Sequence, residues 1–207
     1  MTNDSELVDL VADVLAQDRP WQITQAGAPV LRQTTAPYDG QLPETMLHEL
    51  LDAMRAHLPG VGVGLAAPQI GIPLALAVIE DPGSADPDVT AARERTPQPL
   101  LELINPVVTP LGAGQVAFYE GCLSVSGYGA VVSRYRQVRL NATDRDGRPY
   151  ELELTGWPAR IAQHETDHLN GILYLDQAEI RSLATVPAMM ELWNQPTPAE
   201  AAAALGF

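Results

Sequence analysis

Residues 157–171 read WPARIAQHETDHLNG, and the spacing inside this stretch organises the reading of the whole chain. Pro158 suits the first turn of a helix, where a missing N–H costs nothing, and Gly171 suits the end of one. Between them Ile161, Ala162 and Leu169 can bury one side while the polar residues meet another surface. His164 and His168 are four apart, so their imidazoles stand one turn apart on a single face and can reach one metal ion. Glu165 lies about 100° around the helix from His164. Its carboxylate can therefore approach a water on the metal from the side without taking a ligand position. The HExxH spacing predicts a helix that sets a base beside an acidified water, the equipment of a metal-dependent hydrolase. The chain has four histidines in all, and the other two, His48 and His57, read as ordinary structural residues.

A hydrolytic site of this kind takes three protein ligands and keeps one position for water. The metzincin pattern HExxHxxGxxH has its Gly here at 171, but Tyr174 stands where the third histidine is required. A later carboxylate, Glu179 or Glu191, could serve as in thermolysin-like enzymes. Cys122, within Glu120-Gly121-Cys122-Leu123-Ser124, could instead supply a thiolate from the preceding strands. It is the only cysteine, which excludes an internal disulfide and also fits a buried filler residue. Residue spacing leaves these options open.

Working outward, residues 5–17 place Leu7, Leu10, Val11, Val14 and Leu15 at helical spacing behind Asp4 or Ser5 as a cap. Residues 42–58 repeat the pattern with Met46, Leu47, Leu50, Leu51, Met54 and Leu58 before Pro59-Gly60. Residues 74–80, LALAVIE, predict a strand, and the polar, Pro-rich segment 81–99 an exposed loop. Strands are predicted at 101–108, 115–119, 131–143 and 150–154. Asp146-Gly147 falls between two strand-like runs and predicts a hairpin, because Gly accepts the positive φ of a tight turn. The tail from Asn194 has little to bury and is expected to be frayed or weakly helical. Together these predict one α+β domain, with the HExxH helix at its centre packed against antiparallel sheets.

Composition narrows the function. Twelve Lys+Arg against 26 Asp+Glu leave a net charge of −14 on 207 residues, which repels phosphate backbones and anionic lipid. DNA and membranes are therefore not expected partners. The first residues, MTNDSELVDL, lack the basic and apolar regions of a secretory signal, so a cytoplasmic location is expected.

Three ordered segments resemble the signature motifs of the peptide deformylase family: GVGLAAPQ at 62–69, EGCLS at 120–124 and QHETDH at 163–168. The resemblance implies a deformylase-like catalytic domain over residues 21–190, an acidic helical extension at 1–20 and a tail at 191–207. It implies a metal held by Cys122, His164 and His168, with ferrous iron expected physiologically and Zn2+, Ni2+ or Co2+ also accommodated. It gives Glu165 the general acid/base role, and gives the oxyanion to the side-chain amide of Gln69 and the backbone N–H of Leu123. The implied reaction is hydrolysis of the N-terminal formyl group from N-formylmethionyl peptides of newly made proteins, with release of formate.

By the same resemblance the substrate main chain pairs with Gly62, Val63, Gly64 and Gly121, and Val63, Phe118, Trp157 and Ile161 are candidates for the methionine pocket. Arg160 stands one turn before His164, where some members carry an apolar residue. Asp167 is a candidate to pair with Arg134 behind the ligands. Some members approach ribosomal RNA through a basic C-terminal helix. PAEAAAALGF has no basic residue, so the tail does not support transient ribosome association by that route. An HExxH endopeptidase would have no need of Cys122, and a catalytically silent relative would not need every motif position intact.

Overall fold

In the computed structural model, which describes residues 4–207, the chain feeds two antiparallel sheets and lays one helix between them. The first three residues of the predicted 1–20 extension lie outside the described residues. In order, the elements are α1 (Asp4–Leu15), α2 (Glu44–His57), β1 (Gly64–Ala66), β2 (Leu76–Asp81), α3 (Pro87–Arg93), β3 (Gln98–Pro110), β4 (Gln115–Gly121), β5 (Tyr128–Tyr135), β6 (Gln137–Thr143), β7 (Pro149–Thr155), α4 (Trp157–Leu169), β8 (Ala178–Thr185), α5 (Val186–Leu192) and α6 (Ala199–Leu205). Five strands form a sheet in the order β1-β2-β3-β6-β7, and three form another in the order β4-β5-β8.

Strand β2 shows how the core is divided. Successive side chains of a strand point to opposite faces. Leu76 and Val78 accordingly join the core built on Leu7, Val11 and Val14 of α1 and Leu47, Leu50, Leu51 and Met54 of α2. Ala77 and Ile79 face the other way and pack with Ala159, Ile161, Ala162 and Leu169 of α4. Each fully buried Leu or Ile contributes about 1.5–3 kcal/mol. Helix α4 is thus fixed on its apolar side by the large sheet, and its polar side turns toward the small one. Among the described residues no helix is long and apolar enough to cross a membrane.

The run at 131–143, expected as one strand, is two. Strand β5 belongs to the small sheet and β6 to the large one. The break falls at Arg136, whose N–H donates to the carbonyl of Gly114 and whose carbonyl accepts from Gly156. No Gly, Pro, Asn or Asp interrupts the chain between Val131 and Leu140, so turn signals could not locate the switch. The Asp146-Gly147 hairpin joins β6 to β7 as predicted, with Gly147 at φ 78°.

Two other expectations are corrected. Segment 81–99 is not simply a loop, because it contains α3. The side chain of Asp86 accepts from the N–H groups of Asp88 and Val89, and Pro87 opens the first turn. No residue of α3 is buried, so the helix carries no apolar period. Of the two states expected for the tail, the frayed one gives way to the helical one: α6 docks on β8 and holds Ala201 buried, and Arg181 donates to the Gly206 carbonyl. Strand β8 and helix α5 were not anticipated, since β8 buries only Ser182 and pairs with β5 by backbone hydrogen bonds.

Candidate metal centre

Helix α4 presents Trp157, Arg160, Ile161, His164 and His168 along one stripe, the i, i+3, i+4, i+7, i+11 positions of a helix face. Opposite it, β4 runs to Gly121 and the chain turns through Cys122, Leu123 and Ser124. The turn is closed by the Val125 N–H donating to the Cys122 carbonyl. This brings the Cys122 Sγ to 3.3 Å from Nε2 of His168. Ligand atoms of Cys122, His164 and His168 all lie within 4.8 Å of one another. Glu179 and Glu191, the alternative ligands, are not in this cluster.

The surroundings of the three side chains fit a metal ion. Nδ1 of His164 lies 3.0 Å from Oε2 of Glu120, an approach that places the hydrogen on Nδ1 and leaves Nε2 with its lone pair. The sulfur receives the Ser124 N–H at 3.4 Å and the Gln69 Nε2 at 3.6 Å, donors that fix its position in the cluster. Buried Oε2 of Glu165 and Nδ1 of His168 have no hydrogen-bond partner among the described residues. One sulfur and two imidazole nitrogens form a donor set for a borderline or soft divalent ion.

Glu120 is the residue that sequence reasoning quoted but gave no role. It is buried and accepts from Arg134 at 2.6 and 3.0 Å and from Arg160 at 2.5 Å, besides His164. Burial pushes its carboxyl up, but the His164 hydrogen bond and the charge and hydrogen bonds of Arg134 outweigh it and hold the group well below the usual carboxylate range. Arg134 also pairs with Asp167 at 2.7 Å, the contact that the QHETDH segment suggested. A signal was available: Glu120 stands two residues before the lone Cys. Its place beside α4 depended on sheet packing.

Glu165 is the reverse case. Burial raises its carboxyl to about 7, and the charges of His164 and Arg134 only partly offset this. A carboxyl near neutrality can both take and return a proton. Room for it comes from Gly64, since a Cβ at that position would lie 2.6 Å from the Glu165 Cδ. Gln69 is fixed by its own backbone neighbourhood. Its Oε1 accepts from the Ala66 N–H at 2.9 Å, which turns Nε2 toward Cys122 and Ser124.

A cavity of ≈ 310 Å³ opens over this cluster. Its lining includes Gly62, Val63, Gly64, Gln69, Gly121, Cys122, Leu123, Trp157, Ile161, His164 and Glu165, so the structure brings together nearly all the residues singled out from the sequence. His168, which meets the Cys122 sulfur, lies outside that lining, and so does Phe118. The Phe118 ring packs edge-on against Trp157, with ring centroids 6.0 Å apart. Arg160 takes its place in the lining, because its guanidinium lies over Phe118 at 5.2 Å. At the mouth stand Val61, Tyr128 and Val186, which the motifs do not mark. His48 and His57 lie elsewhere, the first 3.2 Å from the Arg145 carbonyl and the second stacked on Trp21.

Comparison with known proteins agrees with this geometry. The polypeptide deformylase family profile matches residues 20–183. The chain is 54% identical over 202 residues to peptide deformylase 1 of Streptomyces coelicolor, covering 97% of this chain and 93% of that one. It is 52% identical over 187 residues to the peptide deformylase of Bifidobacterium adolescentis, covering 89% and 85%. Among solved structures, the Met-Ala-Ser-bound class I type b peptide deformylase of Acinetobacter baumannii superposes with a TM-score of 0.68 at 31% identity, covering 76% of this chain and 97% of that one.

Proposed function

The chain belongs to the polypeptide deformylase family and is a peptide deformylase, a metallohydrolase, and from that premise we propose how its own residues divide the work. Cys122, His164 and His168 hold the metal, and Glu165, Gln69 and the Leu123 backbone act on the substrate. The observation that carries this reading is the cluster of three ligand atoms within 4.8 Å beside a buried carboxyl aimed into the same cavity.

The substrate is an N-formylmethionyl peptide. Its backbone adds as a strand along Gly62, Val63 and Gly64, at the free edge of the β1-β2-β3-β6-β7 sheet, with Gly121 opposite. The methionine side chain runs into the wall formed by Val63, Trp157 and Ile161. A divalent cation in this site supplies Lewis acidity toward water and toward a carbonyl oxygen. We take the resident ion to be ferrous iron, with Zn2+, Ni2+ or Co2+ as substitutes.

Glu165 accepts the proton of the attacking water, keeps it inside a site closed by Gly64, and delivers it to the leaving amine. The oxygen that gains charge at the formyl carbon is received by Nε2 of Gln69 and the N–H of Leu123. Ala66 keeps the Gln69 amide from rotating, so these donors need no rearrangement during reaction. Glu120 holds the ring of His164, and Arg134 and Arg160 hold Glu120.

The catalytic unit we assign is residues 21–190, working on newly made chains in the cytoplasm. Helix α6 carries Glu200 and no basic residue, so it offers no attraction to ribosomal RNA. The test is formate release from a formyl-Met-Ala-Ser peptide after anaerobic purification, with metal analysis of the same sample. Glu165→Ala is expected to keep the metal and lose turnover. A metal-loaded wild type that releases no formate, or an active Glu165→Ala, overturns the assignment.

A further inference from the structure

Arg160 is an unexpected wall for a pocket that takes methionine. It is only 3% exposed, yet its side chain forms part of the cavity lining beside Trp157 and Ile161. It stands one helical turn, about 5.4 Å, from His164 on the same stripe of α4. A side chain entering from the metal and running along that stripe therefore meets it.

The guanidinium cannot swing away. Nη1 donates to Glu120 Oε1 at 2.5 Å and to the Val132 carbonyl at 2.9 Å, and Nη2 donates to the Val116 carbonyl at 2.5 Å. Its plane is further held over Phe118 and Trp157, 5.2 and 5.7 Å from their centroids. Those bonds engage three of its five N–H groups. Among the described residues these bonds give no acceptor to the Nε–H and the second hydrogen of Nη2, on a residue that lines the cavity. Glu120 does not depend on Arg160 alone, since Arg134 binds both of its oxygens.

Resting on the reaction proposed above, we propose that Arg160 is a specificity-determining residue whose guanidinium donates to the thioether sulfur of the substrate's first side chain. A purely apolar pocket would take norleucine at least as well as methionine, because a methylene is easier to desolvate than a sulfur. A fixed cation with spare donors reverses that order. Sulfur accepts a weak hydrogen bond, and a methylene cannot. The same fixed charge repels a cationic first residue, and the carboxylate that neutralises it, Glu120, is already engaged by two arginines and a histidine.

The experiment compares kcat/KM for formyl-Met, formyl-norleucine and formyl-Lys tripeptides with identical following residues. The wild type is expected to favour methionine over norleucine about fivefold, equivalent to roughly 1 kcal/mol, and to reject lysine. In Arg160→Met the methionine-to-norleucine ratio falls to about one. Each ratio is internal to one enzyme, so a smaller folded fraction cancels. If Arg160→Met does not fold, Arg160→Lys, which replaces the fork by a single ammonium, is expected to bring the ratio to about two. A wild-type ratio below two, or an unchanged ratio in the variant, overturns the proposal. Absence of formate from every peptide would instead overturn the deformylase reading on which it rests.

Discussion

The carboxyl group of Glu165 occupies the space that a Cβ on Gly64 would need. Its Cδ and Cγ lie 2.6 and 2.8 Å from that position, and Oε1 lies closer still. Glycine at 64 is therefore part of the acid/base apparatus. It lets β1 pass against α4 closely enough to bury Glu165 while leaving the carboxyl facing the cavity. Gly64→Ala is expected to push the carboxylate aside and lower kcat by about 100-fold or more, the range lost when a positioned general base is removed. Metal content should be unchanged. Formate release and metal analysis on one preparation check both halves.

Burial of Glu165 also makes the metal-free protein sensitive to pH. Its carboxyl is raised from 4.5 to about 7 in the folded chain, so between these values the folded state holds a proton that the unfolded state has released. The contribution of this one group to stability is fully present below about pH 4.5 and is lost as pH rises through 7, an amount of order 3 kcal/mol. Urea midpoints of metal-free wild type should fall across this window. Glu165→Gln, neutral at every pH, should remove that part of the slope.

Glu120 holds His164 on one side and two arginines on the other. In Glu120→Gln the His164 ring loses its charged acceptor, and metal affinity is expected to drop about 10–100-fold. The buried cations of Arg134 and Arg160 lose their shared counter-charge, so thermal stability should fall as well, by about 3–5 kcal/mol. Competition against a chelator measures the first effect and denaturant titration the second. Full affinity in a folded Glu120→Gln protein would show that His164 is oriented by other means.

Cys122→Ser replaces a soft ligand with a hard one that does not ionise readily. The variant should bind iron or zinc far more weakly and lose deformylase turnover. An HExxH peptidase with a carboxylate as third ligand would be indifferent to the change.

Gln69→Leu keeps the volume of the side chain approximately and removes its amide. Both the hydrogen bond from Ala66 and the donor to the oxyanion are lost. The expected result is a fall in kcat of about 100–1,000-fold with KM little changed, as for other preorganised oxyanion donors. A KM effect alone would assign Gln69 to ground-state binding.

The elements that could be read from the chain were those whose pattern is local. The amphipathic spacing of α2 and the Asp-Gly turn between β6 and β7 are decided by neighbours a few residues away. Helix α3 escaped because its stop and start depend on the Asp86 cap and its exposed residues carry no apolar period. Strand β8 escaped because its partner, β5, is distant in the chain and its own side chains are mostly exposed. The sequence points to Phe118 as a pocket residue and gives Arg160 no role there, whereas in the structure Arg160 lines the cavity and Phe118 does not. Which of the two faces the cavity depends on how β4 leans on α4, where the ring sits behind the guanidinium.

By itself, the amino-acid sequence determined the helix that bears His164, Glu165 and His168 and the face they share, because side chains three and four apart are placed by helix geometry before any tertiary contact forms. Read through motif resemblance, it also named Cys122. Only the tertiary structure decided that the sulfur arrives beside His168 across 46 residues of chain, that Glu120 turns inward between two arginines and a histidine, and that Gly64 yields its volume to Glu165. Those contacts join elements from two different sheets. They exist only once the large sheet has buried one side of α4 and the small sheet has closed over the other.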